Sequence, residues 1–101
     1  MSGRGLHTWG AVVELKEPMP DGARRARVII RAAGASRARE LLGLSGICAH
    51  GVVDVELRSY WGRTSASVAA QTEGGEGVWY GRATAGRQKL DLARAWPKEA
   101  A

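Results

Sequence analysis

The chain has 101 residues, and its 15 lysines and arginines exceed its 10 aspartates and glutamates to give a formal net charge of +5. This length allows one domain, which we place at residues 1–101 with flexible ends at 1–6 and 97–101. A single cysteine excludes an intramolecular disulfide, and no apolar stretch reaches the roughly 20 residues that a membrane-spanning helix needs. Because the first residues also lack the pattern of a secretion signal, we expect a cytoplasmic protein.

The excess of positive charge favours an anionic partner. Nucleic acid is the most common such partner, because a basic protein attracts it at long range and releases its counterions on contact. A composition rich in alanine, glycine and arginine is also what a GC-rich genome encodes without selection for binding. Only the placement of the charges can separate these two explanations.

Two alternating segments near the N-terminus predict a β-hairpin. Residues 8–17 alternate between apolar and polar side chains, which is typical of a half-buried strand. Residues 18–22 contain two prolines followed by Asp-Gly, a composition that makes a turn and cannot continue a strand ladder. Residues 24–33 then return as the antiparallel partner.

The second strand of this hairpin separates charge from apolar side chains. Successive side chains on a strand point to opposite faces, so one face holds Ala26, Val28, Ile30 and Ala32 and the other holds Arg25, Arg27, Ile29 and Arg31. The first face can form core, and the second is cationic. Glu14 and Glu17 of the first strand could lie opposite some of the arginines and partly cancel this charge.

A short helix of about ten residues is predicted to begin at Ser36, and Gly43 and Gly46 both offer a stop. Ser36 is a suitable N-cap, because its hydroxyl can accept a hydrogen bond from the free amide groups of the first turn, and Gly46 is a natural C-terminal cap. Arg37 and Arg39 fall in the first turn, where the helix dipole disfavours cations. That placement suggests an anionic contact, although two solvated arginines remain an alternative.

The second half of the chain predicts a meander of three further strands at residues 52–61, 64–71 and 78–84. Two segments of this region, Tyr60-Trp61-Gly62-Arg63 and Trp79-Tyr80-Gly81-Arg82, place two aromatics, a glycine and an arginine in the same order. A surface Tyr60 or Trp79 beside such an arginine is suited to base stacking or phosphate contact. Packing at the rim of the sheet is the alternative.

The C-terminal segment, residues 87–96, fits either a helix or a strand, and Pro97 ends it. A helix of about ten residues is about 15 Å long and cannot cover a five-stranded sheet roughly 19 Å across. We therefore predict a second helix here, or a strand whose sheet another subunit covers, and a homodimer in either case. The predicted fold is α+β, with an antiparallel sheet of about five strands in the order β-β-α-β-β-β and a short helix and a C-terminal helix on one face.

Catalytic and metal-binding patterns are weak in this sequence. Cys48 and His50 supply two ligands where a zinc site needs three or four, and as a catalytic pair they lack a third orienting group. The sequence contains no Walker loop and no paired-cysteine zinc motif. We expect no enzymatic activity, metal, cofactor or small-molecule substrate, and we expect Cys48 to be a core residue.

The sequence supports two functions. The first is a small nucleic-acid-binding protein, with DNA favoured over RNA, whose predicted binding residues are Arg25, Arg27, Arg31, Arg37, Arg39, Arg63, Arg82, Tyr60 and Trp79. Contact with about four to six phosphates would give a logarithmic salt slope of about four to five, and a two-stranded arginine ribbon could enter a major groove and read guanines. The second is a homodimeric protein-interaction module or accessory protein anchored by an exposed Tyr60, Trp79 or Trp96.

Overall fold

The structure of the protein is a computed structural model that describes residues 6–59, 72, 75–82 and 92–97. The elements are strands β1 (His7–Glu14) and β2 (Arg25–Ala32), helix α1 (Ala35–Ser45), and strands β3 (Arg58–Ser59), β4 (Gly77–Arg82) and β5 (Ala93–Trp96). These strands form one antiparallel sheet in the order β3-β1-β2-β4-β5. The predicted α+β class with a five-stranded antiparallel sheet is confirmed.

The predicted N-terminal hairpin is confirmed. Strands β1 and β2 pair along their full lengths, and the ladder extends to a hydrogen bond of 2.6 Å from the Leu15 amide to the Arg24 carbonyl oxygen. The turn closes through the Asp21 carboxylate, which accepts a hydrogen bond of 3.0 Å from the Ala23 amide. Gly22 has a φ of 89°, a left-handed conformation that glycine adopts without strain.

The core lies between α1 and the apolar face of the hairpin. Ala26, Val28, Ile30 and Ala32 are all fully buried, as their alternation predicts, and they pack with residues of α1 that include Ala38, Leu41 and Leu42. Cys48 is buried in the same cluster, as predicted, and burial raises the pKa of its thiol. Burial of one whole face fixes the register of β2, because a slip by one residue would place the arginines in the core.

Of the two predicted caps of α1, the C-terminal one is confirmed and the N-terminal one is wrong. Gly46 ends the helix in the left-handed conformation with a φ of 69°, as expected. The N-cap is Gly34 and not Ser36: its carbonyl oxygen accepts a hydrogen bond of 2.9 Å from the Ala38 amide, and no side chain caps the first turn. Within the described ranges, no helix combines the length and apolar character that crossing a membrane requires.

Two predictions about the second half of the chain are wrong. Residues 52–57 are not a strand, because Val55 donates back to the Val52 carbonyl oxygen in a turn and only Arg58–Ser59 joins the sheet. Strand β3 pairs with β1 whereas β4 pairs with β2, so these two strands flank the hairpin on opposite sides and do not form a meander. The strand predicted at residues 64–71 lies outside the described residues.

The predicted C-terminal helix is not seen in the described part of the chain. Residues Ala93–Trp96 instead form β5, which pairs with β4 around an irregularity between Val78 and Trp79. Ala95 is buried in the core beside this edge. The spacing of apolar residues in this segment fitted both a helix and a strand, and the described part forms a strand.

Candidate nucleic-acid interface

The sheet has a second face, opposite α1, that presents the predicted arginines, and we call it the arginine face. Residues that pair across neighbouring strands lie on the same side of the sheet, so the register defines its rows. A row is a set of paired residues that crosses the strands, written here in the direction from β3 to β5. Successive rows along the sheet are Thr8, Arg31 and Gly77; then Arg58, Gly10, Ile29, Trp79 and Arg94; then Val12, Arg27 and Gly81; and finally Glu14 and Arg25.

Arg25 and Arg27 are the two exposed cations of β2 on this face. Among the described residues neither guanidinium forms an ion pair or a side-chain hydrogen bond. Glu14 lies opposite Arg25, as the sequence suggested, but its Oε1 lies 3.1 Å from Nε2 of His50. Both guanidinium groups are therefore available to an anion from solution.

Arg31 is half-buried and has a distinct environment. Its Nε atom is shielded from solvent and has no hydrogen-bond partner within the described part of the chain. A buried donor without an acceptor costs about 1–3 kcal/mol. Arg31 thus differs from Arg25 and Arg27 in that one of its unpartnered donors is shielded from water.

The centre of the arginine face is apolar and buried. Ile29 is 4% exposed and Trp79 is 3% exposed. The Trp79 ring covers Gly77, where an added Cβ would meet the Cη2 atom of the ring at 2.6 Å, and the Arg94 guanidinium lies 5.3 Å from the ring centroid. Trp79 therefore offers no free ring face for a base or for a protein partner.

Arg37 is engaged by two carboxylates. Its Nε and one terminal nitrogen each donate to Glu76 at 3.0 Å, and its other terminal nitrogen donates to Glu40 at 2.7 Å. These hydrogen bonds raise the pKa of Arg37, and the Arg37 guanidinium lowers the pKa of Glu76. The group is neutralised within the chain, where the sequence suggested a contact with an external anion.

Arg39 has a structural contact as well. One of its terminal nitrogens donates to the carbonyl oxygens of Val52 and Val53, so it holds the loop that follows Gly51 against the helix. Because α1 packs on the apolar face of the sheet, Arg37 and Arg39 lie in the helix layer, on the far side of the sheet from Arg25 and Arg27. The structure thus divides the predicted binding residues between two sides of the sheet.

The remaining predicted residues are placed only in part. Tyr60 and Arg63 lie outside the described residues, and so does the side chain of Arg82, whose backbone pairs with Ala26 in the sheet. Sequence reasoning did not assign Arg58 and Arg94, which lie at the two edges of the arginine face. Alternation within a strand shows which of its own residues lie on one side. It does not show which face of the whole sheet that side joins, because this depends on which strands become neighbours.

Arg58 and Arg27 line a shallow groove on this side of the molecule, together with Gly10, Ala11, Val12 and Glu56. Arg58 donates to Glu56 at 3.1 Å, and both side chains are largely exposed. Exposed ion pairs of this kind contribute little to stability, so a polyanion can compete with Glu56 for Arg58. In the structure Glu56 balances the charge of Arg58, so the groove adds no net positive charge beyond that of Arg27.

Among the described residues, no group of three or more histidine, cysteine, aspartate or glutamate side chains could hold a metal ion. No protein-family model, no curated protein and no solved structure matches the chain. Its function is therefore inferred from the residues themselves.

Proposed function

We propose that the protein binds nucleic acid, with DNA favoured over RNA, through the arginine face. The observation behind the proposal is the pair Arg25 and Arg27, which are exposed, on one face, and without a carboxylate partner among the described residues. A guanidinium matches the geometry of a phosphate group through paired hydrogen bonds, and its charge is permanent. The net charge of +5 adds long-range attraction for a polyanion.

The proposed contact is small. Arg25, Arg27 and Arg31 together neutralise about three phosphates, because Arg37 and Arg39 are used inside the chain. The expected logarithmic salt slope on duplex DNA is then about 0.9 per phosphate, or about 2.7. This value is lower than the slope of about four to five that the sequence predicts for contact with about four to six phosphates.

The test is gel retardation of random-sequence DNA at about 50 mM salt, where non-specific contacts are strong. Wild-type protein should retard the DNA, and a variant with Arg25→Ala, Arg27→Ala and Arg31→Ala should not. Far-UV circular dichroism of the variant should match that of the wild type, since two of the three side chains are exposed. Failure of the wild type to bind would reject the proposal, and so would full binding by the folded variant.

A second function, protein interaction through a homodimer, is favoured by a different observation. Leu44 on α1 is 57% exposed and Val53 is 85% exposed, and Arg39 of the same helix donates a hydrogen bond to the Val53 carbonyl oxygen. A contiguous exposed apolar patch often marks a protein contact, and these two side chains would contribute to one. Light scattering after size exclusion should then report a dimer that the change Leu44→Glu dissociates, whereas a wild-type monomer would reject this second function.

A further inference from the structure

We infer that the arginine face binds double-helical nucleic acid through its phosphates alone, without reading base sequence and without stacking on bases. This inference rests on the proposed function and specifies its ligand. It follows from the position of the arginines within the sheet, from the location of the aromatic rings, and from the spacing of the charges.

The position of the hairpin excludes insertion into a groove. Both edges of the hairpin are bonded to other parts of the chain near these arginines: β4 pairs with β2 opposite Arg27, and the Ala49 amide donates to the Glu14 carbonyl oxygen at the end of β1. A major groove is about 12 Å wide and admits a helix or an isolated two-stranded ribbon. The hairpin is not isolated, so the predicted insertion of an arginine ribbon does not fit this sheet.

The aromatic side chains of the described strands are not placed for base stacking. Trp9, Tyr80 and Trp96 pair with Ile30, Val28 and Val78, which puts them on the same side of the sheet as α1. Trp79 lies on the arginine face but is buried. Proteins that favour single strands gain about 1–3 kcal/mol for each base stacked on an aromatic ring. Because the described strands offer no such gain on this face, the denser phosphates of a duplex are the better ligand.

The spacing of the charges suits a contact along a phosphate backbone. At about 3.3 Å per residue, Arg25 and Arg27 are about 7 Å apart along β2, and Arg31 lies about 20 Å from Arg25. Duplex DNA carries one charge per about 1.7 Å of its axis, so phosphates are available along this whole line. Phosphate contacts fix the position of a protein on the duplex but carry no direct information about base sequence.

The test measures fluorescence anisotropy of the full chain with labelled probes of one length at about 50 mM salt, namely an AT-rich duplex, a GC-rich duplex, a mixed duplex and a single strand. The three duplexes should bind with Kd values within about twofold, and the single strand should bind several-fold more weakly. The change Arg25→Ala with Arg27→Ala should weaken all three duplexes by the same factor, as expected for phosphate contacts.

Two results would overturn this inference while leaving the proposed function intact. One is a preference of about tenfold or more for one duplex, which indicates base reading. The other is tighter binding of the single strand than of any duplex. Absence of binding to every probe would instead reject the proposed function, and this inference with it.

Discussion

The salt dependence of DNA binding distinguishes the arginine face from the arginines of α1. We compare two variants that each remove two positive charges: Arg25→Ala with Arg27→Ala, and Arg37→Ala with Arg39→Ala. The first pair is exposed without carboxylate partners in the described part of the chain, and the second pair is bound to carboxylates and carbonyl oxygens. A general effect of net charge would be the same for both variants.

The expected magnitudes follow from about 0.9 units of slope per phosphate. With about three phosphates, the wild type should lose about 40-fold in affinity between 50 and 200 mM salt, because the slope is about 2.7. Removing Arg25 and Arg27 leaves a slope of about 0.9 and a loss of about three- to fourfold over the same range. Removing Arg37 and Arg39 should leave the slope near 2.7.

The assay is fluorescence anisotropy of a labelled duplex of random sequence, titrated at four or more salt concentrations. Circular dichroism and thermal melts establish that both variants fold, which matters for Arg37 because its removal leaves Glu76 without its partner. A wild-type slope of about 4.5, equivalent to a loss of about 500-fold, that falls to about 2.7 when Arg37 and Arg39 are removed would mean that the helix arginines also contact DNA. Equal reductions of the slope in the two variants would refute the assignment of binding to the arginine face.

Three further predictions concern the packing and ion pairs of the fold. The change Gly77→Ala should destabilise the fold by about 1–3 kcal/mol, because the new Cβ would lie 2.6 Å from the Trp79 ring, and an unchanged melting temperature would show that the ring is elsewhere. Gly43→Ala is the matched control, with an ordinary contact of 3.7 Å to Val52 and a predicted gain of about 0.5–1 kcal/mol; a loss would mean that the helix is distorted there. Glu76 has a pKa that its hydrogen bonds to the Arg37 guanidinium lower, so the stability it contributes is present above the unfolded pKa of about 4.3 and is lost as the pH falls through the lower folded value. Melts of Glu76→Gln should therefore depend less on pH in this acidic range, and curves identical to the wild type would exclude the ion pair.

The hairpin was predictable because it is determined by residues that are close together in the sequence. Alternation over residues 8–17 and 24–33 specifies two faces, and burial of one face fixes the register, so the positions of Arg25 and Arg27 follow from the sequence. The end of the helix at Gly46 is local as well, since a left-handed cap favours glycine.

The partners and the burial of the other predicted binding residues depend on contacts between distant parts of the chain. Arg37 is neutralised by Glu76, which is 39 residues away in sequence. Arg39 donates hydrogen bonds to the carbonyl oxygens of a loop, although the alternating sequence of that segment had predicted a strand. Trp79 was predicted to be a surface aromatic, but it is buried on the arginine face, with Gly77 and Arg94 close to its ring. Periodicity reports which way a side chain points, and it does not report what covers that side chain.

Side-chain NMR of the arginines in the presence of DNA addresses the binding face most directly. We would record the Nε–Hε signals of ¹⁵N-labelled full-length protein at about 50 mM salt while adding a duplex of random sequence. The signals of Arg25, Arg27 and Arg31 should shift progressively, and those of Arg37 and Arg39 should stay in place. Shifts confined to Arg37 and Arg39, or no shift of any arginine at a concentration where the DNA is bound, would contradict a binding site on the arginine face.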